Sequence, residues 1–125
     1  MRLAVTLLLL IAAFFAFRYF TSGGETVPAQ DAVTAIQLGA NVLDVRTTGE
    51  YNRGHIAGAR HVSVVDPAFK VKVEDLPRDE PVYVYCASGH RSGRAASMLE
   101  GMGFERVVNA GAIGDLEAAG AAVER

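Results

Sequence analysis

PVYVYCASGHR, residues 81–91, is the most informative part of this chain. Its first five residues are apolar, β-branched or aromatic, which predicts a buried strand. The residues from Cys86 to Arg91 are small or polar and cannot continue that strand, and residues 92–102 follow a helical pattern. Backbone amides and the positive end of a helix dipole meet at such a position and stabilise a thiolate. The sequence therefore predicts chemistry on the sulfur of Cys86.

Short apolar strands alternate with helices along the rest of the chain, which is typical of an α/β fold with a parallel sheet. The predicted strands are 41–45, 61–65, 81–85 and 106–108, and the predicted helices are 31–38, with Asp31 as N-cap, 48–53, 92–102 and 113–119. Residues 69–76 fit either a strand or a helical turn. Ligands of such sheets bind beyond the carboxyl ends of the strands, which is where Cys86 falls.

The first 22 residues have a different character from the rest. Arg2 precedes a run from Leu3 to Phe17 in which only Thr6 is polar, and small residues follow. This layout predicts a signal peptide, because a membrane span needs about 20 apolar residues. The cleavage region is poor, with Thr21–Gly23 as the best candidate, so a retained N-terminal membrane anchor over residues 3–20 stays open.

We therefore expect a periplasmic or otherwise exported protein, or one that the N-terminal segment anchors to the membrane. Residues 1–22 are predicted as the signal peptide or anchor, 23–30 as a linker, and 31–125 as the folded domain. Without residues 1–22 the chain loses Arg2 and Arg18 but no acid, so its net charge changes from −2 to −4. This acidity argues against nucleic acid as a partner.

The only cysteine of the chain has no disulfide partner within it. A lone cysteine is commonly an inert buried residue, but the loop that follows Cys86 favours a functional one. The small residues Ala87, Ser88 and Gly89 allow successive amides to turn inward. His90 and Arg91 supply positive charge or hydrogen bonds, unless His90 is merely solvated. The sequence predicts neither a metal site nor a cofactor.

Two other side chains near the loop have structural interpretations. Arg91 has the alternative of pairing with Asp44 or Glu50, as buried arginines often do. Ser92 is expected to cap the following helix rather than act as a nucleophile, because the sequence shows no recognisable Ser-His-Asp triad.

From Asn41 to Gly111 the chain resembles the single-domain rhodanese family of thiosulfate sulfurtransferases, and within it the periplasmic phage shock protein E type. Three blocks carry the resemblance: LDVR with EY, GHI and GA (43–59), VYVYC with the loop to Gly93 (82–93), and GMGF with VNAG (101–111). Many relatives have a double glycine and an aromatic residue where this chain has AGAIG, 110–114. The spacing Cys-x4-Arg is one residue shorter than the Cys-x5-Arg of related phosphatases, which disfavours phosphatase activity.

The resemblance implies a five-stranded parallel sheet flanked by helices on both faces. It implies that Cys86 alternates between thiolate and persulfide, taking sulfur from thiosulfate or a similar donor and passing it to cyanide or a thiol. The backbone amides of five residues would hold the outer sulfur: Ala87, Ser88, Gly89, His90 and Arg91.

Four further positions are expected to be framework residues: Asp44, Arg46, Glu50 and His55. Asp44 would brace the loop, and Arg46 would pair with Glu50. The alternatives are a non-enzymatic rhodanese module that carries sulfur or binds a partner, and a redox thiol enzyme, which would need an external thiol because a lone cysteine lacks a resolving partner.

Overall fold

The computed structural model describes residues 2–20 and 23–125. Residues 1, 21 and 22 lie outside the described residues, and so does most of the predicted cleavage region. In chain order the elements are α1 (Arg2–Phe20), β1 (Glu25–Thr26), α2 (Ala29–Gln37), β2 (Asn41–Asp44), α3 (Thr48–Arg53), β3 (His55–Ile56), β4 (Arg60–His61), α4 (Phe69–Lys72), β5 (Val82–Cys86), α5 (His90–Gly101), β6 (Val107–Ala112), α6 (Ile113–Ala118) and β7 (Val123–Glu124).

Five parallel strands form the central sheet in the order β1-β6-β5-β2-β4, and β3 and β7 form a small antiparallel pair. The predicted α/β class and five-stranded parallel sheet are confirmed. All five residues of the central strand β5 are buried. They alternate between the two faces of the sheet, so that Val84 and Cys86 pack with α5 while Tyr83 and Tyr85 pack on the side of α2 and α6. Both faces are therefore covered by helices, as expected.

The segment 69–76, which fitted two interpretations, is helical at its start. Phe69 and Val73 are buried, whereas the three residues between them are exposed. A spacing of four residues places two side chains on one face of a helix. The alternation of apolar and polar residues around Val71 and Val73 favoured the strand interpretation. In the structure Val71 is exposed to solvent, so the two valines do not share a buried strand face.

Several predicted boundaries differ from the structure. Helix α2 begins at Ala29 with Pro28 as its N-cap, so the prediction of Asp31 as N-cap was wrong, and Asp31 lies in the first turn. A carboxylate there interacts favourably with the helix dipole. Of the predicted strand 61–65, only His61 lies in a strand, which is β4, Arg60–His61. Strand β6 extends to Ala112. Its last residues are small and carry little strand propensity, so this extension was not predicted, yet they pair with β5.

Residues 23–30, predicted as a linker, contain β1 and the beginning of α2. Glu25 and Thr26 pair in parallel with Val108 and Asn109 of β6. A strand of two residues shows no hydrophobic period, so β1 could not be predicted from the sequence. These residues therefore belong to the sheet.

Strand β6 contains a bulge opposite the end of β5. Val84 pairs with Asn109 and Tyr85 pairs with Gly111, so that Ala110 is the additional residue. A bulge bends a strand and redirects its side chains. Asn109 lies just before the bulge, in regular register with Val84 and so on the α5 side of the sheet. There it contacts Ser92 of α5 and the Gly89 carbonyl at the N-cap of that helix.

Residues 2–20 form α1, and the leucines at its beginning are exposed. Within the described ranges, no helix combines the length and apolar character that crossing a membrane requires.

Gly24→Ala is expected to destabilise the domain, because a Cβ at position 24 would lie 2.9 Å from the Ala96 Cβ and 3.2 Å from backbone atoms of β6. We expect a loss of about 1–3 kcal/mol from this overpacking, measured by urea unfolding. Gly39→Ala is the matched control, since Gly39 also has a positive φ but, apart from its two chain neighbours, no heavy atom of the described residues lies within 4 Å of its Cβ position. Equal losses in the two variants would contradict the packing of residue 24 against the sheet.

Candidate active site

Cys86 is the last residue of β5, and its side chain is buried beside the beginning of α5. The backbone N–H of Gly89 donates a hydrogen bond to the Cys86 Sγ at 3.0 Å. The Ser92 Oγ lies 3.4 Å from the same sulfur. The sulfur therefore faces hydrogen-bond donors at the N-terminus of a 12-residue helix, as the sequence predicted.

The surroundings of Cys86 favour its ionised form. Burial acts to raise the pKa of the thiol, but hydrogen bonds from the Ser92 hydroxyl and from the amides of Ser92, Ser88 and Gly89 outweigh it and lower the pKa below its usual value. A hydrogen bond to the charged form of a group stabilises that form. Because the thiolate is the nucleophilic form of cysteine, the site is suited to attack by sulfur.

Gly89 allows the loop to bring its amide to the sulfur. It is the N-cap of α5 with a φ of 93°, in the left-handed region, and no side chain caps the helix there. A Cβ at this position would lie 3.4 Å from the Gly111 Cα. Both the backbone conformation and the close approach of β6 therefore favour glycine.

The other predicted loop residues lie around this turn. Ala87, Ser88 and His90 are exposed, while Gly89 and Arg91 are partly buried. The Ser88 Oγ accepts a hydrogen bond from the His90 N–H at 3.4 Å. The loop thus lies at the surface while the sulfur lies beneath it. A contact of these five residues with substrate stays a prediction.

Arg91 forms a bidentate ion pair with Glu50 of α3, at 2.7 Å and 2.9 Å. Of the partners considered for Arg91, Glu50 is the one observed. Glu50 also completes a capping box with Thr47. The Arg91 guanidinium holds the pKa of Glu50 at about 2, assisted by Thr47 and opposed by burial. The pair therefore stabilises the domain above pH 4.5, and this contribution is lost as the pH falls toward 2.

The expected pair of Arg46 with Glu50 is wrong, because Arg46 pairs with Asp44 at 2.7 Å. Arg46 also donates to the Gly54 carbonyl at 2.6 Å. Asp44 is fully buried and accepts a hydrogen bond from the Tyr85 hydroxyl at 2.7 Å. The observed hydrogen bonds of Asp44 thus stabilise the sheet behind the loop, rather than bracing the loop itself as expected.

His55 is partly buried next to this network. Its ring stacks on Tyr51 with a centroid distance of 3.8 Å, and its Nε2 lies 3.2 Å from a carboxylate oxygen of Glu124. These contacts connect α3, β3 and β7. They are consistent with the framework role that was expected for His55.

Two residues near the Cys86 sulfur, Ser92 and Asn109, were not identified as site residues from the sequence. Ser92 was predicted as a helix cap, but the N-cap is Gly89 and Ser92 is buried within α5. Ser92 shares a buried face with three apolar residues: Ala95, Ala96 and Leu99. The sequence did contain a signal for Ser92: it is the one polar residue in a series spaced three and four residues apart, which marks the buried face of a helix.

Asn109 is the second missed residue. Its Oδ1 accepts from the Ser92 hydroxyl at 2.7 Å, and its Nδ2 donates to the Gly89 carbonyl at 3.0 Å. The signal was a polar amide in a short strand next to buried Val107 and Val108. Asn109 therefore connects β6 both to the loop and to the helix residue that contacts Cys86.

The model of the rhodanese-like domain family matches residues 29–111, about two-thirds of the chain. The chain belongs to the rhodanese family. The matched range includes β2 to β5, the Cys86 loop and most of β6. The resemblance inferred from the three sequence blocks is confirmed.

Curated relatives of this rhodanese include thiosulfate sulfurtransferases. GlpE of Pseudomonas fluorescens (strain SBW25) is 40% identical over 83 residues, 66% of this chain and 74% of GlpE. PspE of Escherichia coli (strain K12) is 31% identical over 74 residues, 59% of this chain and 71% of PspE. The uncharacterized protein YqhL of Bacillus subtilis (strain 168) is 39% identical over 70 residues, 56% of this chain and only 54% of YqhL. GlpE and PspE support sulfur transfer as the general activity.

The fold is also found in a solved structure. The rhodanese-like domain of the Alr3790 protein from Anabaena sp. superimposes with a TM-score of 0.68 at 28% sequence identity. The match covers 81% of this rhodanese and 77% of that chain. The predicted rhodanese-like fold is confirmed.

Proposed function

We propose that this protein is a thiosulfate sulfurtransferase that transfers a sulfane sulfur from thiosulfate, or a similar donor, to cyanide or a thiol. The observation that carries the proposal is the buried Cys86 sulfur, which accepts a hydrogen bond from the Gly89 amide at 3.0 Å. The lowered pKa of Cys86 and the names of the relatives GlpE and PspE support it.

The proposed reaction has two displacements at sulfur. The Cys86 thiolate attacks the outer sulfur of thiosulfate, the sulfur–sulfur bond of the donor breaks, and sulfite leaves with its electron pair. The acceptor then attacks the outer sulfur of the persulfide, and Cys86 leaves as the thiolate. With cyanide the product is thiocyanate, and no external oxidant or reductant is required.

The loop would stabilise both charged states of the sulfur. Amide donors such as that of Gly89 would face the thiolate before the reaction and the persulfide after it. Fixed donors of this kind need no reorganisation during the reaction. Arg91 would add positive charge at the edge of the site, where Glu50 partly neutralises it.

Intact mass spectrometry tests the proposal directly. The full chain is incubated with thiosulfate, and we expect its mass to increase by one sulfur atom. Subsequent cyanide should remove the increase and release an equal amount of thiocyanate. Absence of any adduct at saturating thiosulfate would contradict the proposal. A stable adduct without turnover to cyanide or small thiols would instead indicate the non-enzymatic carrier module.

Arg91→Ala is expected to raise the KM for thiosulfate about tenfold, equivalent to about 1.4 kcal/mol of donor binding. The reason is the loss of a cation that attracts an anionic donor. Glu50→Gln is the matched control. It keeps an oxygen for the capping box with Thr47 but leaves the Arg91 charge unpaired, so its KM should decrease.

Initial rates at two salt concentrations check this pair of variants, because screening by salt should diminish both effects. If the two variants change thermal stability but leave the KM for thiosulfate unaltered, Arg91 acts only through its ion pair with Glu50.

We further propose that the domain is exported and that residues 1–22 act as a cleaved signal peptide. The support is the sequence layout, with Arg2 before an apolar run and small residues after it. Intact mass of the protein purified from its native host would give the mature N-terminus. A mature chain that still begins at residue 1 would contradict the cleavage.

A further inference from the structure

The Ser92 hydroxyl lies between two acceptors. Its Oγ is 3.4 Å from the Cys86 Sγ and 2.7 Å from the Asn109 Oδ1. A hydroxyl carries a single proton and can donate it to only one of them at a time. Ser92 and Cys86 are both fully buried. The direction of this one hydroxyl therefore matters for the charge on the sulfur.

The orientation of the Asn109 amide is fixed by its other partners. Its Nδ2 donates to the Gly89 carbonyl at 3.0 Å, and its Oδ1 accepts from the Gly111 N–H at 3.1 Å. In a reversed amide, the Nδ2 would face the Gly111 N–H and the Oδ1 would face the Gly89 carbonyl, so that a donor would meet a donor and an acceptor an acceptor. The Oδ1 is thus a permanent acceptor for the Ser92 proton, at a shorter distance than the sulfur.

We propose that Asn109 is a positioning residue that controls the direction of the Ser92 hydroxyl. Its Oδ1 accepts the Ser92 hydrogen bond while the Cys86 Sγ is neutral, and the hydroxyl turns to donate to the Sγ when that sulfur becomes a thiolate. The inference rests on the proposed function only in taking Cys86 as the nucleophile. It adds a hydrogen-bond switch, operated by the charge on the sulfur, to the same site.

The switch has two positions. In the thiol, the Cys86 S–H donates to the Ser92 Oγ, and the Ser92 O–H donates to the Asn109 Oδ1. When the sulfur loses its proton, the hydroxyl rotates and donates to the Sγ, and the Asn109 Oδ1 keeps the Gly111 N–H. In the persulfide the negative charge lies on the outer sulfur, so the hydroxyl turns back toward Asn109.

The Asn109 oxygen therefore competes with the thiolate for a donor. Asn109→Ala should lower the pKa of Cys86 by about half a unit, because Ser92 is then free to donate to the sulfur. Ser92→Ala should raise the pKa by about one unit, because the hydroxyl donor is lost. In the Ser92→Ala background, Asn109→Ala should have no effect on the pKa. A purely structural role, through the Gly89 carbonyl, would change the pKa equally in both backgrounds.

The experiment measures the ultraviolet absorbance of the thiolate against pH in the full chain and its variants. Each is compared with a Cys86→Ser protein of the same background, which subtracts the four tyrosines. Cys86 is the only cysteine, so the difference reports one group. No sulfur donor is present, so the result is independent of whether the protein transfers sulfur.

A pKa that falls with Ser92 present and is unchanged without it would establish the switch. An unchanged or raised pKa in Asn109→Ala, or equal shifts in both backgrounds, would overturn it. If Asn109→Ala does not fold, Asn109→Asp replaces it in the same two backgrounds. The carboxylate should raise the pKa of Cys86 more when Ser92 is present, and equal increases would overturn the switch.

Discussion

Replacing Cys86 by serine is expected to reduce sulfur transfer to the uncatalysed background while the domain stays folded. An alkoxide does not form at neutral pH in place of the thiolate, so the nucleophile of the proposed reaction is lost. The serine oxygen would still have the Gly89 amide and the Ser92 hydroxyl as partners. We therefore expect a change of no more than about 1.5 kcal/mol in the free energy of unfolding.

Thiocyanate formation and urea unfolding measure the two parts of this expectation. Ser97→Ala is the control on the same helix, because its hydroxyl donates a hydrogen bond to the Gly93 carbonyl and not to the Cys86 sulfur, and its rate should equal that of the unaltered protein. Since the chain has one cysteine, a sulfur adduct on the unaltered protein alone assigns the site. Measurable turnover by Cys86→Ser would refute Cys86 as the nucleophile.

Asp44→Leu is expected to cost about 3–5 kcal/mol, because it leaves the buried Arg46 guanidinium without its partner. This is a large fraction of the 5–15 kcal/mol that typically stabilises a domain. Tyr85→Phe should cost less, about 1–3 kcal/mol, since it removes only the acceptor of the Ile56 N–H and the donor to Asp44. Urea denaturation of each variant gives these values.

The double variant Asp44→Leu/Arg46→Met separates the loss of an ion pair from the loss of packing. Replacing both charges together removes the unpaired cation, so part of the stability should return. A double variant no more stable than Asp44→Leu alone would show that the cost comes from packing around residue 44.

The fold and the position of Cys86 at the end of a buried strand could be predicted from the sequence because both depend on strong local patterns. The apolar run 81–85, followed by small and polar residues, located the end of β5 and Cys86. The weaker elements were missed or left open for a physical reason. A two-residue strand such as Glu25–Thr26 has no period, and the four residues of α4 alternate like a strand.

The partners of the charged residues could not be predicted, since they depend on three-dimensional distances. Arg91 had Asp44 and Glu50 as possible partners and pairs with Glu50, whereas Arg46 was expected to pair with Glu50 but pairs with Asp44. The contact between Ser92 and Asn109 depends on how α5 packs against β6, which the sequence does not reveal. The backbone positions of the site were thus predictable, whereas its hydrogen-bond network was not.

The pairing of Glu25 and Thr26 with β6 has a consequence for any shortened form of the protein. A cut on the carboxyl side of Thr26 would remove the outermost strand and leave the N–H and C=O groups of Val108 and its neighbours without partners along one border of the sheet. Unprotected borders of this kind recruit strands from other molecules and lead to aggregation. Proteolytic trimming that spares Gly24 onward should yield monodisperse protein, whereas trimming a few residues further should yield aggregates.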